Sequence, residues 1–339
     1  MQQNDIQTIK QLVDEAKTIL IIQADNPDGD SLASSLALEQ ILHKLGKEPI
    51  MYCGVDMPSY LRYLSGWDRV SNELPTSFDM SIIVDTSSVK LLEKLGTEGK
   101  LGWLGAKPCV VLDHHQTTEA SDKIEFATAY INDPAVSSTG ELLYKLAKQA
   151  GWDVDKIAGE FIMTAILSDS QGLTNSLATA ETYRVMAELT EAGIDRPSLE
   201  EKRREFGKMT QAIFRYKAEL ITRTQFASDG RIAYLSIPQK EIIEYSPQYN
   251  PAPLIQPDIL QTEGVAIAVV FKQYDGGRVT AAIRCNNGYA VGDKLAEHFG
   301  GGGHAYASGF KKTDGTSLEA IQAECIKYAT TLLDNLDKE

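Results

Sequence analysis

Apolar and polar positions along the chain alternate between two spacings. A helical pattern over residues 4 to 16 gives way to "TILIIQ" (18 to 23), where apolar residues are unbroken. So short a continuous run reads as a strand buried on both faces. "SLASSLALEQILHKLG" (31 to 46) carries Leu32, Leu36, Ile41, Leu42 and Leu45 at helical spacing. Strand runs recur at "PIMYCG" (49 to 54), "MSIIVD" (80 to 85) and "CVVLD" (109 to 113), and helical patterns at 138 to 150, 155 to 169 and 178 to 192. The expected class is α/β: a mainly parallel sheet with helices on both faces.

The pattern changes after residue 195. "RPSLEEKRREFGKMTQAIFRYKAEL" (196 to 220) is charged, poor in apolar anchors at its start, and reads as a connecting helix. Beyond it come "RIAYLSIP" (231 to 238), a hairpin over 264 to 285 turning at Asp275-Gly276-Gly277, a helix near 290 to 299 and a last helix near 316 to 334. This predicts a domain over 1–195, a connecting helix over 196–225 and a smaller C-terminal α/β domain over 226–339, with a cleft between the domains as the place for a ligand.

Composition narrows the function. No stretch approaches a membrane span, and the start "MQQNDIQTIK" lacks the apolar core of a signal peptide, so a cytoplasmic protein is expected. Cys53, Cys109, Cys285 and Cys325 lie far apart, which predicts reduced, packed thiols. A formal charge of -14 argues against coating long nucleic acid but leaves room for a small anionic ligand in one pocket.

Three strands run into acids: the first into Asp28 and Asp30, the second into Asp85, the third into Asp113 with His114 and His115 behind it. Ligands of open parallel sheets sit beyond the carboxyl ends of the strands, so these groups should converge. Asp169, at the end of an apolar helix, completes a ring. Convergent carboxylates repel and need a cation, and Asp with neutral His suits manganese or magnesium better than zinc. An extended loop at Gly29 would aim Asp28 and Asp30 to different sides, as two adjacent metals require. Singly, each Asp also has an ordinary reading as turn former or helix cap, with Asp30 capping a helix that starts near Ser31. His43 and His298 fall within amphipathic helices as packing or surface residues.

"EHFGGGGHAYASGF" (297 to 310) holds Gly300, Gly301, Gly302 and Gly303 ahead of His304. Four glycines in a row imply sharp bending or close approach, and successive amides can form a concavity for an anion. His304 and Arg284, on a neighbouring strand, would add phosphate contacts.

"NPDGDSLASS", "IIVDTSS", "LDHHQTT", "AILSDSQG" and "FGGGGHAYASGF", in this order, resemble the DHH phosphoesterase family with its DHH-associated C-terminal domain, in the branch of oligoribonucleases (nanoRNases) and phosphatases of 3'-phosphoadenosine 5'-phosphate. The resemblance implies two manganese ions per chain, magnesium being the alternative. Asp28 and Asp30 would each hold one ion, Asp85 both, and His114 and Asp169 the second. It further implies that His115 faces the scissile phosphate, that Asp113 lies near the metals or orients a histidine, and that Arg284 and Gly301 to His304 grip the far end of the substrate. Ser137 to Glu141, "SSTGE", matches the family's Ser/Thr-rich segment and also fits a capping box between Ser138 and Glu141.

One departure stands out. Many members carry His four residues before the first motif Asp, where this chain has Ala24, so weaker binding of the first ion is expected, with Asn26, Asp25 or water as substitutes. The implied activity is hydrolysis of short oligoribonucleotides or 3'-phosphoadenosine 5'-phosphate. The alternatives are a cyclic- or linear-dinucleotide phosphodiesterase and a nucleotide-binding protein with weakened turnover. The partners expected are short RNA or nucleotides, with no long nucleic acid and no membrane, and a homodimer is compatible.

Overall fold

The computed structural model describes residues 3–115, 123–246 and 250–338. Of the candidate residues, the side chain of His304 lies outside that description. The chain divides into two compact units, Met1–Lys208 and Met209–Glu339. Among the described residues, no helix is long and apolar enough to cross a membrane.

The first unit runs α1 (Gln3–Glu15), β1 (Thr18–Ile22), α2 (Gly29–Lys44), β2 (Glu48–Tyr52), β3 (Met80–Val84), α3 (Glu93–Thr97), α4 (Leu101–Gly105), β4 (Cys109–Asp113), β5 (Ala129–Asn132), α5 (Thr139–Ala150), α6 (Lys156–Asp169), α7 (Ala180–Glu191) and α8 (Arg196–Phe206). Its strands form one all-parallel sheet in the order β2-β1-β3-β4-β5. Alternate residues explain the unbroken apolar runs. Ile19, Ile21, Ile82, Val84, Val110 and Leu112 join a core with α1, α2, α5 and α6, while Leu20, Ile22, Ile83 and Val111 pack with Leu92, Leu95 and Leu104 on the other face. Each such fully buried side chain contributes roughly 1.5–3 kcal/mol.

Register then sets where the acids arrive. Ile22 pairs with Ile83, Val84 with Leu112, and Asp113 with Asn132. The carboxyl ends of β1, β3 and β4 therefore share one sheet edge.

The second unit holds α9 (Gln211–Arg223), β6 (Gln225–Ala227), β7 (Ile232–Pro238), α10 (Gln239–Tyr245), α11 (Pro251–Leu260), β8 (Ile267–Gln273), β9 (Val279–Cys285), α12 (Gly292–His298), β10 (Gly302–His304), β11 (Ala307–Lys312) and α13 (Leu318–Leu336). Its mixed sheet has the order β10-β11-β9-β8-β7-β6, with β7 and β8 parallel. α9 and α11 cover one face, α12 and α13 the other.

The single connecting helix expected over 196–220 is corrected to two. α8 ends at Gly207, and α9 starts behind Thr210, whose hydroxyl accepts from the Ile213 amide at 3.3 Å. The units part between these helices: Leu199 packs on the first core, while Ile213, Tyr216 and Leu220 belong to the second unit. The predicted hairpin is observed as β8 and β9, with Gly276 and Gly277 at positive φ in the turn.

Candidate metal centre

α2 begins differently from the expectation. Asp28 is its N-cap, accepting from the Ser31 amide at 3.0 Å, while Ser31 Oγ accepts from the Asp28 amide at 2.8 Å. Asp30 lies inside the first turn, so the segment is not extended at Gly29 and the capping role falls to Asp28. Helical spacing, not strand alternation, separates the two carboxylates. The helix starts this early because Gly29 lets it approach α6: a Cβ there would stand 2.2 Å from Ser168 Oγ.

Asp30 is fully buried and anchored by the start of α5. Its oxygens accept from the Thr139 amide (2.7 Å), the Gly140 amide (3.1 Å) and Ser34 Oγ (2.8 Å). A carboxylate at a helix N-terminus is stabilised by the amides and the dipole there. Thr139 also donates its hydroxyl to Asp85 Oδ1 at 3.0 Å. Thr139, Gly140 and Ser34 were not singled out from sequence, although Thr139 and Gly140 sit in the "SSTGE" segment. The capping box there is half formed: Ser138 accepts from the Glu141 amide, but the Glu141 carboxylate turns to the amide and hydroxyl of Ser137.

His114 stands at the centre. Its Nε2 is 3.0 Å from Asp169 Oδ2, 3.5 Å from Asp30 Oδ2 and 3.6 Å from Asp85 Oδ1. His115 Nδ1 is 2.8 Å from Asp113 Oδ1 and 3.8 Å from Asp85 Oδ1. Donor atoms thus gather in two overlapping groups, Asp30–His114–Asp169 and Asp85–His114–His115. Asp28 belongs to neither group and is seen as a cap. Asp85 holds a left-handed backbone, φ 62°, one residue past β3. Such strain in a non-glycine residue concentrates at functional sites.

Electrostatics mark a place for positive charge. Burial, then the charges of Asp30, Asp28, Asp169 and Asp113, push the Asp85 carboxyl well above its usual range. Burial and Asp30 raise Asp169 to about 7. Burial and Asp30 also raise Asp28. Burial alone would lower His114, but Asp169 and Asp30 outweigh it and lift the imidazole to about 9. Asp113 raises His115; burial opposes ionisation of Asp113, yet the His115 bond and charge hold that acid low. Among the described residues, no lysine or arginine pairs with Asp30, Asp85 or Asp169. His114 Nε2 is buried among three carboxylates, within ion-pair distance of Asp169 but without the alignment of a regular hydrogen bond. A buried imidazole nitrogen amid convergent carboxylates fits a divalent cation.

Residues 18–168 match the DHH family, N-terminal domain, and residues 252–331 match the DHHA1 domain. The chain carries a DHH domain followed by a DHHA1 domain. In this DHH domain the three residues of the motif divide the work: Asp113 holds His115, His114 joins the acids, and His115 stays partly exposed. Its relatives include the "Bifunctional oligoribonuclease and PAP phosphatase NrnA" of Thermus thermophilus, 26% identical over 84% of this chain and 81% of the relative. A "Probable manganese-dependent inorganic pyrophosphatase" of Bacillus licheniformis is 26% identical over 53% of this chain and 57% of its own. The crystal structure of an exopolyphosphatase-related protein from Bacteroides fragilis, 22% identical, shares the fold over 98% of both chains with a TM-score of 0.84.

Near Ala24 the DHH domain offers no substitute ligand from Asp25. That carboxylate turns to the Lys94 amide at 2.8 Å and lies against Gly54, and Ala24 is itself buried.

In the DHHA1 domain the expected run of free glycine amides is corrected at its start. Gly300 (φ 75°) donates to Glu297 O at 2.9 Å and Gly301 to Ala296 O at 2.9 Å, a Schellman ending of α12. Gly301 also lies under Gly309 O, which a Cβ would meet at 2.2 Å, and Gly303 takes φ 135° against Ser308. Gly302 differs: it has no positive φ, and nothing lies within 4 Å of where a Cβ would stand. Register aligns residue 304 with Ala307 and Ala307 with Arg284. Arg284, depressed by burial, bonds the Ile283 carbonyl and has no carboxylate partner among the described residues.

Proposed function

We propose that this phosphoesterase hydrolyses short oligoribonucleotides and 3'-phosphoadenosine 5'-phosphate, with two manganese ions per chain. The observation that carries the reading is the buried His114 Nε2 enclosed by the carboxylates of Asp30, Asp85 and Asp169. The Thermus relative's name joins these two substrates, and the pyrophosphatase relative's name supports manganese.

Asp28, Asp30, Asp85, His114 and Asp169 would hold the ions, all oxygen and imidazole donors that suit hard or borderline cations. Such ions, when bound, acidify water and neutralise phosphate oxygens. The chain's own residues do the rest. Asp113 fixes the ring of His115 through Nδ1, so Nε2 points away from it and, with the ring protonated, donates to a phosphate oxygen. Thr139 keeps Asp85 oriented, and the amides of α5 keep Asp30 in place. Arg284, Gly301, Gly302, Gly303 and His304 would bind substrate, Gly302 by leaving open space and Arg284 as a cation with no carboxylate partner among the described residues.

The test is manganese-dependent release of mononucleotide from RNA a few nucleotides long, and of phosphate from 3'-phosphoadenosine 5'-phosphate, against an Asp85→Ala variant. Equal rates in the two proteins would sink the reading.

Ala24 favours a second reading, a nucleotide-binding protein with weakened turnover, because its buried methyl offers no metal donor. Metal content after dialysis against manganese separates the two: two ions per chain support the enzyme, one or none the binding protein.

A further inference from the structure

Tyr60 lies in a short 3-10 turn, Ser59–Leu61, in the segment after β2. The turn is braced on both sides: the Leu61 amide donates to Pro58 O at 3.0 Å, and Met57 and Leu61 are buried in the first unit's core. The side chain is held at its far end as well, where its hydroxyl donates to Pro27 O at 3.0 Å. Pro27 immediately precedes Asp28. Burial of the hydroxyl end and the Asp28 charge both raise the phenol's pKa, so the acid is near. Yet the residue as a whole is 60% exposed.

This reverses the usual arrangement at a surface. An amphipathic aromatic side chain normally lays its apolar body on the protein and turns its polar tip to water. Tyr60 turns its polar tip inward to a backbone carbonyl and presents its ring to solvent beside the first acid of the "NPDGD" loop. Fixed at both ends, the ring loses little freedom when a flat ligand covers it.

The geometry points to Tyr60 as a stacking platform for the nucleobase attached to the phosphate that the acidic cluster receives. The class of ligand rests on the phosphoesterase reading above, but the stacking does not depend on turnover. Base–aromatic stacking tolerates every base, so it favours nucleotides over bare phosphates and pyrophosphate without selecting a sequence.

Calorimetry on the manganese-loaded protein tests this with adenosine 5'-monophosphate and ribose 5-phosphate, which lacks the base. The wild type should bind the nucleotide about tenfold more tightly or better. Tyr60→Ala should bring the ratio close to one while keeping the affinity for ribose 5-phosphate, and Tyr60→Phe, which keeps the ring, should retain most of the ratio. A Tyr60→Ala protein with the wild-type ratio overturns the proposal. So does one that weakens both ligands equally, because the ring would then only brace the Asp28 loop, and so does a wild type that binds neither ligand or prefers neither. A wild type that discriminates in binding but releases no product would defeat the hydrolytic reading and leave the platform standing.

Discussion

Asp85 is held in a left-handed backbone, among acids that raise its carboxyl pKa, and such an arrangement costs stability in the absence of a cation. Asparagine tolerates that backbone and carries no charge. Asp85→Asn should therefore lose hydrolytic activity and melt a few degrees higher than wild type in chelator, measured by assay and thermal denaturation; a lower melting temperature would contradict the strain argument. Protons can stand in for the cation, which sets the pH dependence. Asp169, lifted to about 7 in the folded state, favours folding where it is protonated, so its contribution fades as pH rises from about 4 through 7. His114, lifted to about 9 from 6.5, contributes below 6.5 and loses that contribution as pH rises through 9. Both slopes have the same sign. The gain in melting temperature from manganese should thus grow between pH 5 and 8, reaching about 5–10 °C at a hundredfold excess over Kd. A gain that shrank with rising pH would refute the assignment. Asp30, Asp85, His114 and His115, which the structure gathers, were legible because strand ends in a parallel sheet are where ligands sit, and Asp169 because it closes an apolar helix at a polar loop. That Asp28 caps α2 while Asp30 is buried under α5 was not, since both are short acids in a polar loop until the helix start is known.

At the level of elements, the site depends on how closely α2, α5 and α6 approach. A Cβ on Gly140 would stand 2.4 Å from Ala165 Cβ and 3.3 Å from the Ile162 carbonyl, so Gly140→Ala should destabilise by about 1–3 kcal/mol and disturb the amides that hold Asp30. Gly102, in α4, meets nothing within 4 Å and has no positive φ, so Gly102→Ala should stabilise by about 0.5–1 kcal/mol. Denaturant titration of both variants checks the contrast. Glu141, in α5, is buried with a full set of donors: Ser137, Thr182 and Lys145. Burial opposes its ionisation, but these bonds prevail and lower its pKa. Glu141→Gln should then cost about 1–3 kcal/mol at neutral pH. A depressed acid contributes above its unfolded pKa and loses that contribution as pH falls through the folded value, so the gap between variant and wild type should close in acid. Apolar runs revealed β1 to β4 and the large helices of the first unit. β5 was missed because "AYIN" is short and buries only alternate residues, and α11 because Pro257 lies within it.

At the scale of the molecule, the boundary between the units makes a prediction about fragments. Residues 209–339 contain α9, whose Ile213, Tyr216 and Leu220 complete the core over β7 and β8. That fragment should unfold cooperatively on heating, followed by circular dichroism. One starting at residue 226 exposes the same core and should be destabilised or unfolded. Equal stability would show that α9 is not integral to the second unit. The charged composition of 196–220 pointed to a boundary there, but could not show which half of the segment belongs to which core. Hydrophobic anchors decide that, and they declare themselves only against their partners.

The amino-acid order alone determined the alternation of strands and helices, the parallel first sheet, and which acids and histidines stand at strand ends, because burial on two faces and the rules of parallel connection leave few other outcomes. Tertiary packing decided the rest: which acid caps and which is buried, that Thr139 and Gly140 hold the cluster in place, and that two of the four glycines simply end a helix. Those outcomes turn on contacts between segments up to about a hundred residues apart, such as Asp30 with Gly140, and on ångström-level approach that no local pattern encodes.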